Sequence, residues 1–169
     1  MRKIIVRKVT LNIGTGKPGD ELEKALKLLT QITGRKPVKT VSNKRIPTWG
    51  LRPGLQIGCK VTLRGKEAIE ILKRLLKAKG EELSWENFDD LGNFSFGIHE
   101  YLDIPGVKYD PSIGIIGLEV AVTLERPGYS IKKRKVKNRS IGLKHRIRRD
   151  DATEFMMKNY GLKMKEKEE

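Results

Sequence analysis

Cysteine and histidine are almost missing from this sequence of 169 residues. The one cysteine, Cys59, excludes an internal disulfide framework and a multi-cysteine zinc site. The two histidines, His99 and His145, lie far apart and match no metal-ligand spacing such as HExxH. GxSxG and P-loop motifs are also missing. Because an enzyme would need some such constellation, we expect no catalytic centre, metal or cofactor.

Long apolar runs are missing as well. No stretch of about 18 apolar residues occurs, so we expect no membrane-spanning helix. No apolar signal-peptide core precedes the first strand-like stretch, and we therefore expect a cytoplasmic protein. Hydrophobic residues make up 37% of the chain and charged residues 34%. That profile suits one modest core beneath a heavily charged surface.

Acidic residues are scarce relative to basic ones, and the formal net charge is +15. A field of that sign attracts polyanions, of which nucleic acid is the first candidate and an anionic membrane surface the second. A membrane-surface role is disfavoured, since no predicted helix combines a wide apolar face with a lysine-rich polar face. The eleven Lys and Arg residues from Arg126 to Arg149, with no acid among them, leave only +4 for the remaining residues.

This block of charge predicts a basic extension over residues 127–149. A like-charged segment repels itself, so we expect it to become ordered on RNA. A flexible solubilising or nuclear-targeting tail is the alternative. Apolar residues such as Tyr129 and Ile147 interrupt the charges and favour a segment that docks. The basic residues expected to act here are Lys132, Lys133, Arg134, Lys135, Lys137 and Arg139.

Apolar periodicity predicts an α+β fold: a mostly antiparallel sheet with helices packed on one face, then the basic C-terminal extension with a short terminal helix. We expect one RNA-binding domain over 1–126 and the extension with its helix over 127–169. Strands are predicted over 4–13, 37–42, 56–64, 93–99 and 114–125, and residues 81–92 look irregular. Helices are predicted over 21–33 and 66–79, with inward stripes of Leu22, Ala25, Leu26, Leu29 and Ile32, and of Ala68, Ile69, Leu72, Leu75 and Leu76.

The predicted helix ends have recognisable signals. Asp20 and Glu23 have the spacing of a capping box at the first helix, and Asp151 and Glu154 have it at the terminal helix. Gly34 is expected to end the first helix.

The segment from Gly14 to Gly19 matches GxGxxG between a strand and a helix, as in dinucleotide-binding proteins. The following strand, however, has no acid for a ribose hydroxyl. Strands 37–42 and 56–64 are also joined too closely for a crossover helix, which indicates a hairpin. A tight glycine turn is therefore the preferred interpretation, although its backbone amides could still meet an RNA phosphate.

Polar residues on the outer faces of the first and third strands are the main candidate site. If these strands are neighbours, their outward side chains form one platform without acidic residues. Ordinary solvent-facing surfaces, in contrast, mix acidic residues with lysines. Such side chains suit phosphate, sugar and 2′-hydroxyl contacts. An ordinary solvent face is the alternative. The platform residues are Lys8, Thr10, Asn12, Lys60, Thr62 and Arg64.

The loop from Asn43 to Gly54 is the second candidate. Basic groups around an aromatic residue can grip a nucleic-acid backbone and stack on a base. Trp49 could equally pack down on the sheet. The loop residues expected to contact RNA are Asn43, Lys44, Arg45, Trp49 and Arg52.

Several blocks resemble a known family. QITGRKPVKT, the loop ending in WGLRPG, IGCKVTLRG and GNFSFGIHEYLDIPGVKYDPSIGI closely resemble the universal large-subunit ribosomal protein five, the 5S-rRNA-binding protein. The resemblance covers about Val9 to Arg126. RPGY and DDATEFMMKNYG look like its archaeal and eukaryotic branch.

The resemblance implies a non-enzymatic constituent of the large subunit that binds 5S rRNA and helps attach it in the central protuberance. It implies that the platform faces 5S rRNA, that the loop contacts P-site tRNA, and that another surface forms a bridge to a protein of the small-subunit head. Large-subunit rRNA and neighbouring large-subunit proteins are the other implied partners, with no membrane or small-molecule substrate. The helix before the first strand of bacterial members has no counterpart here, and Trp49 stands where many members have Phe.

Overall fold

Alternating apolar and polar residues build the central sheet of the computed structural model, which describes residues 1–165. In the first strand Val9, Leu11 and Ile13 are buried, whereas Thr10 and Asn12 between them are partly exposed. Successive side chains of a strand point to opposite faces, so this pattern gives the sheet one apolar and one polar face.

The sheet has five strands in the order β2-β3-β1-β6-β5, and all neighbours are antiparallel. This arrangement confirms the predicted α+β class and the predicted hairpin of the second and third strands. The elements in chain order are β1 (Ile5–Gly14), α1 (Asp20–Thr33), β2 (Val38–Val41), β3 (Gln56–Leu63), α2 (Lys66–Ala78), β4 (Glu82–Ser84), β5 (Phe94–Ile98), β6 (Leu118–Glu125), α3 (Ser130–Lys133), α4 (Arg149–Tyr160) and β7 (Lys163–Lys165).

Helices α1 and α2 lie on the apolar face, where α1 contacts β3 and α2 contacts β1. Their predicted inward stripes are each wrong at one position. Leu28 is fully buried and Leu26 only partly, and Ile71 is buried whereas Ile69 is 38% exposed. Leu26 and Leu28 are both apolar, as are Ile69 and Ile71. Which residue of each pair is buried depends on how the helix is rotated against the sheet, and the spacing of apolar residues alone does not determine that rotation.

The start of α1 differs from the prediction. Gly19 with φ 138° occupies the N-cap position, no side chain caps the helix, and Asp20 lies within the first turn. The predicted capping box of Asp20 and Glu23 is therefore wrong, although both carboxylates lie near the positive end of the helix dipole. At the other end Gly34 adopts φ 65° and its N–H donates to the Thr30 carbonyl, as predicted.

Non-local contacts account for the elements that the sequence did not predict. Residues 82–84, expected to be irregular, form β4, which pairs in parallel with β7 near the far end of the chain. Residues 114–117, expected to be strand, precede β6. Ile147, Ala152 and Met156 join the same apolar core as the sheet.

Candidate RNA-binding surface

The predicted platform residues lie together on the polar face of the sheet. Thr10 pairs with Thr62 across β1 and β3, and Asn12 pairs with Lys60. Lys8 and Arg64 flank the Val9–Leu63 pair at the same end. Lys60, Thr62 and Arg64 are exposed, and the three residues of β1 are partly exposed. The two strands thus form a single surface with a cationic group at each end.

Strand β6 extends this surface and adds carboxylates that are not part of the predicted platform. Glu119 lies opposite Asn12 and accepts a hydrogen bond from its Nδ2 at 3.2 Å. The platform is therefore free of acids across β1 and β3 but bordered by one exposed carboxylate on β6. The alternation of Glu119, Thr123 and Glu125 with buried residues in that strand is the signal that could have revealed them.

Glu125, at the end of β6, is buried and paired with two cations. Its carboxylate accepts a hydrogen bond from the Lys133 ammonium and lies 3.5 Å from Arg7 Nε. Lys133 belongs to the predicted basic residues of the extension, and here it neutralises a carboxylate of the same chain. The other predicted residues of the extension, Lys132, Arg134, Lys135, Lys137 and Arg139, are exposed.

The extension is fixed to the domain by Tyr129 as well. The Tyr129 hydroxyl accepts a hydrogen bond from the Ile147 backbone N–H at 3.0 Å and donates to the His145 carbonyl at 3.2 Å. The His145 ring lies 3.0 Å from the Pro127 carbonyl oxygen, so Nε2 is the protonated nitrogen if this contact is a hydrogen bond. His145 thus contacts the protein itself.

An ion pair closes the base of the extension. Arg126 donates through Nη2 to Asp151 Oδ2 at 3.1 Å and through Nη1 to the Arg146 carbonyl at 3.3 Å. The same Asp151 oxygen accepts the Arg148 backbone N–H at the start of α4. Arg148 is therefore the N-cap residue and Asp151 the third residue of the helix, so the predicted capping box of Asp151 and Glu154 is wrong by three positions. One carboxylate therefore connects the end of the sheet, the extension and the terminal helix.

Trp49 projects from the loop between β2 and β3. The loop closes through an Ile46–Leu51 bridge around a 3₁₀ turn, and Gly50 adopts φ 67°. Trp49 is 71% exposed, so the alternative in which it packs on the sheet is wrong. Lys44, Arg45 and Arg52 of the same loop are exposed, as is Asn43. The loop therefore presents an exposed aromatic ring and three exposed cations.

The glycine turn before α1 offers little to a phosphate. The backbone N–H groups of Thr15 and Gly16 both donate to the Ile57 carbonyl, at 2.9 and 3.0 Å. The first turn of α1 carries Asp20, Glu21 and Glu23, whose charges repel an anion. Neither dinucleotide binding nor a phosphate contact is supported at this turn.

Within residues 1–165 no group of three or more metal-ligating side chains could hold a metal ion. Burial raises the pKa of the Cys59 thiol to about 11, so the thiol stays protonated and unreactive near neutral pH. No described helix is both long and apolar enough to cross a membrane.

These features define an α+β protein whose sheet has one cationic polar face. Residues 1–52 match the family model described as "Ribosomal protein L5", and residues 56–139 match the model that describes the C-terminus of the same ribosomal family. The chain belongs to the ribosomal protein L5 family, whose members are structural proteins and not enzymes.

Archaeal relatives cover nearly the whole chain. The chain is 49% identical to large ribosomal subunit protein uL5 of Nanoarchaeum equitans over 165 residues, 97% of each protein. It is 48% identical to the protein of the same name from Nitrosopumilus maritimus, with 96% of this chain and 94% of the relative covered. The protein of that name from Sulfolobus acidocaldarius is also 48% identical, with 96% and 91% covered. The predicted family and its archaeal branch are confirmed.

Proposed function

We propose that this protein binds 5S rRNA through the polar face of its sheet and helps attach that RNA in the central protuberance. Membership of the family makes the chain a structural constituent of the large subunit of the cytoplasmic ribosome, in contact with rRNA and neighbouring ribosomal proteins. The single observation behind the finer assignment is the common surface formed by Lys8, Asn12, Lys60 and Arg64.

The composition of this surface favours folded RNA over a general anion. Lysine and arginine at its ends suit phosphates, and the threonine and asparagine side chains between them can donate to and accept from 2′-hydroxyl groups. The small residues Ser95, Gly97 and Ala121 continue the face on the other side of β1, where they leave room for an RNA backbone to approach.

A charge-matched pair of variants tests the surface. Lys60→Ala with Arg64→Ala removes two platform cations, whereas Lys24→Ala with Lys73→Ala removes two exposed cations from the helical side. Filter binding to 5S rRNA should weaken only for the platform variant, and its slope of log affinity against log salt should fall by roughly 1.5 to 2. Equal losses in both variants, or equal affinity of the wild type for unrelated structured RNA, would contradict the proposal.

The loop around Trp49 is assigned to P-site tRNA. Its ends are joined by backbone hydrogen bonds of Ser42 to Leu55 and Gly54, both 2.9 Å, so the hairpin can close without the intervening residues. Deleting residues 44–52 should leave 5S rRNA binding intact and weaken P-site tRNA retention on reconstituted ribosomes. Loss of 5S rRNA binding in the deletion would show that the two surfaces are misassigned.

A bridge to the small-subunit head completes the proposed role. It rests on the family resemblance, and no particular surface of the chain is assigned to it. Crosslinking of assembled ribosomes from single introduced cysteines would locate it. The absence of any crosslink to a head protein from all exposed positions would contradict this part of the proposal.

A further inference from the structure

A cavity of about 430 Å³ lies between the basic extension and the polar face of the sheet. Its walls come from β1 and β6 on one side and from the extension on the other, and it begins at the platform residue Lys8. Its size is within the range of sites that hold small ligands. The cavity therefore offers a partly open cleft beside the flat surface described above.

The lining combines apolar walls with a cationic rim. Leu91, Tyr129 and Ile141 provide apolar surface. The hydroxyls of Thr123 and Ser140 make no hydrogen bond to any residue in the range 1–165. The charged groups of the lining are Lys8, Lys132, Lys133 and Arg146 against the single carboxylate of Glu125.

We propose that this cavity receives one unpaired nucleotide of the bound RNA, an inference that rests on the proposed RNA-binding function. A nucleotide joins a planar base, with apolar faces and hydrogen-bonding edges, to an anionic phosphate. The base lies against Tyr129 and Ile141, its edge meets the hydroxyls of Thr123 and Ser140, and the phosphate lies near Lys8 and Lys132. An acidic peptide would satisfy the cations but leave the apolar wall uncovered.

The cavity is preorganised to bind a nucleotide. The two hydrogen bonds of the Tyr129 hydroxyl hold the chain at residues 145–147, and the Lys133–Glu125 pair holds the segment near residue 133 to the sheet. Because these contacts join parts of the same chain, they fix the walls of the cavity relative to the sheet, which reduces the entropic cost of binding.

A matched pair of substitutions separates the cavity from the rest of the extension. Ile141→Trp fills the cavity, whereas Ile131→Trp changes an equally apolar residue of the extension that does not line it. Stacking of a single base on aromatic side chains makes a large contribution to affinity. We expect the Ile141 variant to bind 5S rRNA roughly tenfold more weakly and the Ile131 variant to bind it within about twofold of wild type. Thermal unfolding followed by circular dichroism checks that both fold.

A second pair of substitutions tests the inference if Ile141→Trp prevents folding. Lys132→Glu reverses a charge in the cavity lining and Lys73→Glu reverses an exposed charge on the helical side of the domain, and only the former should weaken binding strongly. In addition, 5S rRNA carrying 4-thiouridine should crosslink to peptides 123–141.

Three outcomes would overturn the inference. In the first, the members of each pair bind 5S rRNA equally. In the second, no crosslink maps to the lining. In the third, free AMP or UMP shifts the methyl resonances of Ile141 while RNA affinity is unaffected by Ile141→Trp, which would identify a mononucleotide site. Failure of the function proposed above is distinguishable, because the Lys60 and Arg64 substitutions would then also leave 5S rRNA binding unchanged.

Discussion

Replacing Tyr129 by phenylalanine should loosen the basic extension without disturbing the sheet. The hydroxyl accepts a hydrogen bond from the Ile147 N–H and donates to the His145 carbonyl, and Ile147 is 1% exposed. Removing the hydroxyl leaves a buried amide without its partner, which costs about 1–3 kcal/mol. Because about 1.4 kcal/mol corresponds to a tenfold change in an equilibrium constant, local opening at residue 147 should become roughly 5- to 140-fold more frequent.

Hydrogen exchange at the Ile147 amide measures this opening directly. Tyr109→Phe is the matched control, since Tyr109 is 58% exposed and its hydroxyl makes no hydrogen bond to a described residue. Exchange at amides of β1 should be the same in both variants. If the Ile147 amide exchanged equally fast in the Tyr129 and Tyr109 variants, the hydroxyl would not hold the extension, and it would not preorganise the cavity.

Two further substitutions test local features of the fold. Gly92→Ala should lower the thermal unfolding midpoint by several degrees, because Gly92 has φ +75° and a Cβ there would lie 2.5 Å from Ile147 Cγ2. Gly142→Ala is the control and should leave the midpoint nearly unchanged, because the space around Gly142 is open. Glu67→Gln should destabilise the protein slightly at neutral pH, because the hydrogen bond and charge of Arg35 lower the pKa of Glu67 in the folded state. That stability is present above the pKa of an unfolded glutamate and is lost as the pH falls through the folded pKa, so wild type and variant should converge in acidic urea titrations. A difference that persists or grows in acid would contradict the assignment.

The strands of the sheet could be predicted because the alternation of apolar and polar residues is a local pattern in the sequence. Alternation in β1 and β3 fixes which side chains face outward, and the short connection from β2 to β3 fixes their antiparallel pairing. The grouping of Lys60 and Thr62 with the residues of β1 required in addition that β1 and β3 be neighbours, which the sequence left as a condition and the structure shows. The exposure of Trp49 could not be predicted from the sequence, because a loop has no alternation of apolar and polar residues that would indicate where a side chain points.

The parts that sequence reasoning missed depend on contacts between distant segments. β4 and β7 are three residues each and lie about 80 positions apart, so neither carries a periodic pattern of its own. Glu119 and Glu125 alternate correctly in β6, but their effect on the platform appears only once β6 is known to pair with β1. The role of Tyr129 likewise requires the return of the chain at Ile147.

The basic extension shows why net charge alone is a poor guide to order. Of the eleven cations from Arg126 to Arg149, Arg126, Lys133 and Arg149 pair with Asp151, Glu125 and Asp90, carboxylates that lie outside this block in sequence. The counter-charge that we expected from RNA is therefore supplied in part by the chain itself. The remaining eight form no ion pair within residues 1–165 and are available to phosphates. Since Tyr129 and the buried Ile147 also hold the segment, its attachment should resist salt, whereas RNA binding by the free cations should fall steeply with it.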